Sequence, residues 1–352
     1  MPQDASIERT PGERKATGRA AIEVVSLGKS FGPVRAVHEL SFEVHSGEIF
    51  GLVGPDGAGK TTTMRMLAGV LPPDSGRATV SGCDIARDPE GAKHDLSYMP
   101  QRFGLYEDLT VSENIAFYAD LFSVKRAERD ARATQLLQAA GLSEFGSRLA
   151  GKLSGGMKQK LGLVCALIHQ PDVILLDEPT NGVDPVSRRD FWKILYSLVD
   201  QGVAILISTS YLDEAERCHR VGLIHQGKML LLDTPAALKK GFPGAVLGVR
   251  TSDPPRARLA LVGAPGVRNA VLEGDGVHLF VDRAERLAEL RARLQSAGVP
   301  FDSFDSTEPT IEDLFVSEVA DKPIEPVAAE PGAPPSTAGA PPGAAPAGGK
   351  PS

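Results

Sequence analysis

Ile49-Phe50-Gly51-Leu52-Val53 runs into Gly54-Pro55-Asp56-Gly57-Ala58-Gly59-Lys60-Thr61-Thr62, and this stretch decides the fold. An apolar, strand-like run ends in a loop of the G-x-x-x-x-G-K-[ST] pattern, which opens a helix. Gly54, Gly57 and Gly59 let the backbone turn its N–H groups inward on a triphosphate, where the helix N-terminus adds a favourable dipole. Lys60 reaches the outer phosphates, and the Thr61 hydroxyl suits a Mg2+ ion. The whole run Gly54 to Thr62 is therefore the expected nucleotide-binding loop, not a plain glycine turn.

Working outward, short apolar runs alternate with helical segments. Strands are expected at 48–53, 96–99, 173–176 and 203–207, and helices after Gly59, across 111–140 and at 154–169 and 187–200. This alternation predicts an α/β fold with a parallel sheet. The run Val173 to Leu176 ends in Asp177-Glu178, two carboxylates at the carboxyl end of a central strand, where open α/β sheets bind ligands. Asp177 is assigned to the Mg2+ shell, and Glu178 to the water that attacks the γ-phosphate. Val221–Ile224 and Met229–Leu232, split by Gln226-Gly227, predict a hairpin, and Thr234-Pro235 caps a short helix that ends this domain near 240. From 244 to 318 the texture changes to a small α+β unit, with strands near 246–250, 276–281 and 301–306 and a helix at 284–297.

Composition limits the alternatives. The 352 residues suffice for about two domains, and a net charge of −7 supplies no basic footprint for nucleic acid. Cys83, Cys165 and Cys218 follow no metal-ligand spacing and are expected as reduced thiols. No apolar run approaches the ~20 residues of a membrane span, and the polar start lacks a signal-peptide core, so a chain that neither spans a membrane nor is secreted by this route is expected. Residues 1–20 are charged and aperiodic, whereas in 321–352 Pro, Ala and Gly fill 22 of 32 positions, so both ends are expected to be disordered.

Leu153-Ser154-Gly155-Gly156-Met157-Lys158-Gln159 opens the helix at 154–169 and makes a second anion-binding helix end. With the loop at 54–62, Tyr98-Met99-Pro100-Gln101, Asp177-Glu178 and Gly182-Val183-Asp184, it completes five ordered motifs, by which residues 22–240 resemble ABC-transporter ATPases. The resemblance implies a P-loop NTPase core spanning 21–240, with a helical subdomain at about 102–170. It implies two such domains clamping ATP head to tail, each phosphate loop facing the partner's Ser-Gly-Gly. Phe31 would then stack on adenine, and Gln101 would join Thr61 and Asp177 at Mg2+ and signal to a membrane subunit. Leu153, Ser154, Gly155, Gly156 and Asp184 would complete nucleotide binding, while Lys60, Gln101, Glu178 and position 210 would serve catalysis. Residues 241–320, ending Pro309-Thr310-Ile311-Glu312-Asp313-Leu314-Phe315, resemble the accessory domain of ABC-2 type exporter ATPases, although Glu-Asp-Leu-Phe could also be a short amphipathic helix.

Two departures stand out. Where the family usually carries histidine in a Ser-Thr-His-Tyr context, the chain reads Ser208-Thr209-Ser210-Tyr211, and His219 lies nine residues on, as expected of a surface histidine. Asp56 replaces the commoner Asn of the loop. Together they resemble the first cassette of exporters that pair two unlike ATPases. The expectation is an ATPase subunit on the cytoplasmic face, joined to ABC-2 type permease subunits and to a second, preferably unlike, cassette. Its own half-site would be slow for want of the imidazole. A non-catalytic, nucleotide-gated regulatory subunit and a soluble ribosome-associated ATPase are the alternatives.

Overall fold

Val24, Leu27, Val37, Leu40 and Phe42 are buried along two neighbouring strands, Ile22–Phe31 (β1) and Val34–Val44 (β2), which pair as an antiparallel hairpin. The computed structural model describes residues 20–320; the expected terminal extensions, apart from residue 20, lie outside them. Ile49–Val53 (β3) leads through the glycine loop into Lys60–Leu67 (α1), followed by Ser75–Val80 (β4), Cys83–Asp84 (β5), Pro89–His94 (α2) and Leu96–Met99 (β6). Three helices come next: Val111–Leu121 (α3), Arg126–Ala140 (α4) and Gly155–Leu167 (α5). The chain then returns through Val173–Asp177 (β7), Pro185–Val199 (α6), Ala204–Thr209 (β8), Leu212–Ala215 (α7), Arg220–His225 (β9), Lys228–Asp233 (β10) and Pro235–Lys240 (α8). Ala245–Arg250 (β11), Pro254–Leu261 (α9), Val267–Glu273 (β12), Gly276–Val281 (β13), Leu287–Ser296 (α10), Ser303–Thr307 (β14) and Ile311–Ala320 (α11) follow among the described residues.

The central sheet has the order β10-β9-β3-β8-β7-β6, parallel except for β10. Its strands β3 and β7 are buried throughout, as a parallel sheet covered on both faces requires. Alternate residues serve the two faces. Ile49, Ile174, Leu176, Ile205 and Ile207 meet helix residues such as Ile115, Leu161, Trp192 and Leu195. Phe50, Leu52, Leu175 and Leu206 meet Met64 and Leu67 of α1 and the inner face of the antiparallel sheet β2-β1-β4-β5. Phe50 stacks on Phe42, with ring centroids 5.1 Å apart, and so joins the two sheets.

The third sheet, β12-β13-β11-β14, is antiparallel and has a core of its own, in which Leu261 of α9 and Leu290 and Leu294 of α10 cover Leu247, Val277 and Leu279. Val246 and Phe280 point the other way, into the main core, where Phe242, Ile311 and Leu314 join them. The Glu-Asp-Leu-Phe segment is thus the start of α11, which packs on α7 and α8.

Some of this is absent from the sequence pattern. β1 is interrupted by register shifts between Val24 and Ser30, with Ser26 at φ 49°, so its alternation breaks. α9 is short and opens on Pro254-Pro255, and β12 forms an edge with Leu272 exposed. His219 is exposed as expected, yet its Nδ1 accepts the Ile49 N–H at 3.0 Å and so caps the start of β3. All three cysteines are free, and burial pushes the Cys165 and Cys218 thiols up.

Phe50→Ala should open a cavity between the two sheets and destabilise the chain by about 3–5 kcal/mol. Urea unfolding followed by far-UV circular dichroism measures it; a loss below about 1 kcal/mol would mean that the sheets do not depend on this contact.

Candidate nucleotide site

The loop between β3 and α1 holds its shape because three glycines meet three different constraints. A side chain at Gly54 would collide with the Ile224 carbonyl oxygen, and one at Gly59, at φ 101°, with that of Ala36. Gly57 has open space around it but sits at φ 76°, where an L side chain is strained. Below the loop lies the turn of the β9–β10 hairpin, whose Gly227 N–H donates to the Ala58 carbonyl at 2.9 Å. Lys60 is 4% exposed and fully engaged: its Nζ donates to the Gly54 and Pro55 carbonyls at 2.8 and 3.0 Å and lies 3.0 Å from Glu178 Oε1.

The two carboxylates that end β7 face this loop. Asp177 Oδ1 accepts from the Thr61 hydroxyl at 3.0 Å and from Ser208 Oγ at 2.6 Å, and the Tyr98 hydroxyl stands 3.4 Å from Oδ2. Burial, followed by the Asp177 charge, pushes the Tyr98 hydroxyl up to about 12, so it stays a neutral donor. Glu178 adopts φ 49°, uncommon for a non-glycine residue, while its N–H donates to both the carbonyl and the hydroxyl of Ser208 at 3.1 Å. Gln101 Nε2 reaches Glu178 Oε2 at 3.1 Å. A glycine loop opening a helix and a buried ammonium suit a triphosphate, and the neighbouring Thr61 hydroxyl and Asp177 carboxylate are the hard oxygen donors that Mg2+ prefers.

The remaining candidates lie around this centre. Phe31 ends β1 with half its surface exposed, so it is no core residue, and Lys29 Nζ stands 5.8 Å from its ring centre. Ser154 caps α5, accepting from the Met157 N–H at 3.3 Å; it and Gly155 are exposed, whereas Leu153 and Gly156 are buried. A side chain at Gly156 would strike Ser187 Oγ. Asp184 caps α6, and the Ser187 N–H holds its carboxyl below the usual carboxylate range. Ser210 follows Thr209, whose carbonyl accepts the Gly54 N–H at 3.2 Å, so the position where an imidazole is expected adjoins the phosphate loop.

A family model described as ABC transporter matches residues 37–181. The Nod factor export ATP-binding protein I of Paraburkholderia xenovorans (strain LB400) is 39% identical over 277 residues, covering 78% of this chain and 90% of that protein. The chain belongs to the ABC transporter ATP-binding protein family. The probable multidrug ABC transporter ATP-binding protein YbhF of Escherichia coli (strain K12) is 48% identical over 285 residues, or 80% of this ABC protein and 48% of YbhF. The chain thus spans about half the length of that relative. Among solved structures, an ATP-binding subunit of an ABC transporter superposes with a TM-score of 0.59 at 30% identity, covering 63% of this chain and 93% of that one. Family and α/β fold class stand as the five motifs implied, and no helix among the described residues of this ABC protein is long and apolar enough to cross a membrane.

Sequence reading missed Ser208, the hydroxyl that holds both Asp177 and the Glu178 backbone. Its signal is a polar residue directly after the apolar run Ala204 to Ile207, which a buried strand tolerates only with partners. It also missed a buried network in which Glu214 Oε1 accepts from Thr180 Oγ1 at 2.7 Å and Trp192 Nε1 at 3.3 Å and lies 3.1 Å from Arg188 Nε.

Ser208→Ala should lower the hydrolysis rate about 10–100-fold, as expected when an orienting hydrogen bond is removed, with nucleotide affinity changed less than about threefold. Single-turnover kinetics beside equilibrium nucleotide titration separate the two; an equal loss in both would make Ser208 a folding residue only.

Proposed function

We propose that the chain is the ATP-binding and hydrolysing subunit of an ABC-2 type exporter, coupling MgATP-driven dimer closure to transport by separate membrane subunits. The observation that carries the hydrolytic reading is the meeting of Lys60 with Glu178, and of Thr61 with Asp177, each pair at 3.0 Å. Phosphate-binding and water-activating groups share one centre. Lys60 and the loop amides bind the outer phosphates, Thr61 and Asp177 hold Mg2+ with Gln101 beside them, and Phe31 offers its exposed face to adenine. Mg2+ supplies charge neutralisation on the phosphates when bound. Glu178 takes the proton of the attacking water as the bond from the γ-phosphorus to the leaving diphosphate oxygen breaks. Leu153 to Gly156 and Asp184 serve the nucleotide held by the partner cassette.

Export is supported by the names of the relatives, one a probable multidrug ABC transporter ATP-binding protein and one a Nod factor export ATP-binding protein. The permease subunits and the cytoplasmic-face location follow from that reading, as does the division into a cassette (21–240) and an accessory unit (241–320). Ser210 favours a second reading, a regulatory subunit that binds ATP without turning it over, against which the placement of Glu178 argues. The ribosome-associated alternative gains nothing from the acidic balance of the chain.

Glu178→Gln should keep MgATP binding and reduce turnover at this chain's own half-site by about 10²–10⁴, measured by rapid quench in the assembled pair with the partner's catalytic glutamate disabled. An unchanged rate would sink the catalytic reading and leave the regulatory one.

Ser210→His should raise hydrolysis at the site built on this chain's own loop, by up to about 10²–10⁴, when the partner's catalytic glutamate is disabled. A well-folded variant with no gain would show that the imidazole is not what limits this site.

A further inference from the structure

Away from the nucleotide site, three side chains from three elements converge: Glu273 at the end of β12, His278 on β13 and Asp313 in the first turn of α11. Their ligand atoms all lie within 4.8 Å of one another. Both carboxylates aim at one ring nitrogen, with His278 Nδ1 2.5 Å from Glu273 Oε2 and 3.0 Å from Asp313 Oδ1. One nitrogen carries at most one proton, so it cannot give each carboxylate a full hydrogen bond. Acceptors outnumber protons at this point, and Glu312 adds further negative charge to His278's surroundings.

Asp313 is 3% exposed, and its other oxygen, Oδ2, accepts the N–H and the hydroxyl of Thr310, both at 2.9 Å. This fixes the aim of Oδ1, as outer hydrogen bonds do for ligating carboxylates in metal centres. Glu273 is 40% exposed, which gives an ion a path from solvent and room for a water ligand. We infer that Glu273, His278 and Asp313 form a site for one divalent transition-metal ion of the Zn2+ class, binding helix α11 to the accessory sheet. An imidazole nitrogen with two carboxylate oxygens suits such ions, whereas Mg2+ and Ca2+ take oxygen ligands. Since Ile311 and Leu314 of α11 lie in the main core and Phe315 meets His225, the ion braces the seam between the accessory sheet and the cassette.

The test uses the full chain, stripped with a chelator, dialysed and titrated without nucleotide. Zn2+ is followed by calorimetry and Co2+ by its visible absorption. One ion per chain is expected, with Glu273→Gln and His278→Ala each weakening binding at least about tenfold. Zn2+ should raise the melting temperature of the parent chain and not that of His278→Ala. Glu273→Gln alters a partly exposed carboxylate and keeps its shape, so it decides the matter even where His278→Ala fails to fold. The absence of a bound ion, or an ion whose affinity Glu273→Gln leaves unchanged, overturns the assignment.

Discussion

The burial of one ammonium group organises the site. Lys60 is all but enclosed, and taking such a charge out of water costs several kcal/mol unless hydrogen bonds and an opposite charge replace the solvent. The replacements are the Gly54 and Pro55 carbonyls and the Glu178 carboxylate. For those carbonyls to point inward the loop must double back on α1, which Gly54 and Gly59 permit by lying against the Ile224 and Ala36 carbonyls. For Glu178 to be within reach, β7 must end opposite the loop, and the parallel order β3-β8-β7 places it there. The glycine spacing, strand order and acidic pair thus express one electrostatic requirement.

β8 lies between those two ends and couples them. Its Ser208 holds Asp177 through the hydroxyl and Glu178 through the backbone, and Thr209 receives the Gly54 N–H. A shift at the end of this strand would therefore move the phosphate loop and the carboxylates together. The β9–β10 turn braces the loop from the other side through Gly227, so neighbouring strands of the central sheet fix it from two directions.

The central sheet was legible because its strands are short, continuous apolar runs bounded by turn residues, a pattern that burial on both faces imposes. The candidate nucleotide loop was legible because a triphosphate demands residue types, Gly, Lys and Thr, at fixed spacing along a single loop. Two kinds of feature escaped. β1 bends through register shifts that break its alternation, so the strand ending in Phe31 shows no clean period. Ser208, Glu214 and the Glu273–His278–Asp313 cluster act through partners distant in sequence, and no local pattern announces a contact closed only by the tertiary fold.

Position 210 shows how chemistry can change while the fold stays. The polar bonds that hold this segment are made by its neighbours: the Ser208 carbonyl and hydroxyl, the Thr209 carbonyl, and the Thr209 hydroxyl, which accepts the Tyr211 N–H at 3.0 Å. Tyr211 is anchored in turn by its hydroxyl, 3.3 Å from Asn181 Oδ1, and by the Arg188 guanidinium 4.4 Å from its ring centre. The side chain at 210 is therefore spared a structural duty. Serine stands there while the loop, the carboxylates and the strand are held by their own bonds, so under the proposed function a change at this position would act on reactivity. On the proposed function, a site that keeps Lys60, Asp177 and Glu178 in register while lacking the imidazole would hold nucleotide for longer than a complete site takes to cleave it, and the expected slow half-site would need no change in the fold around it.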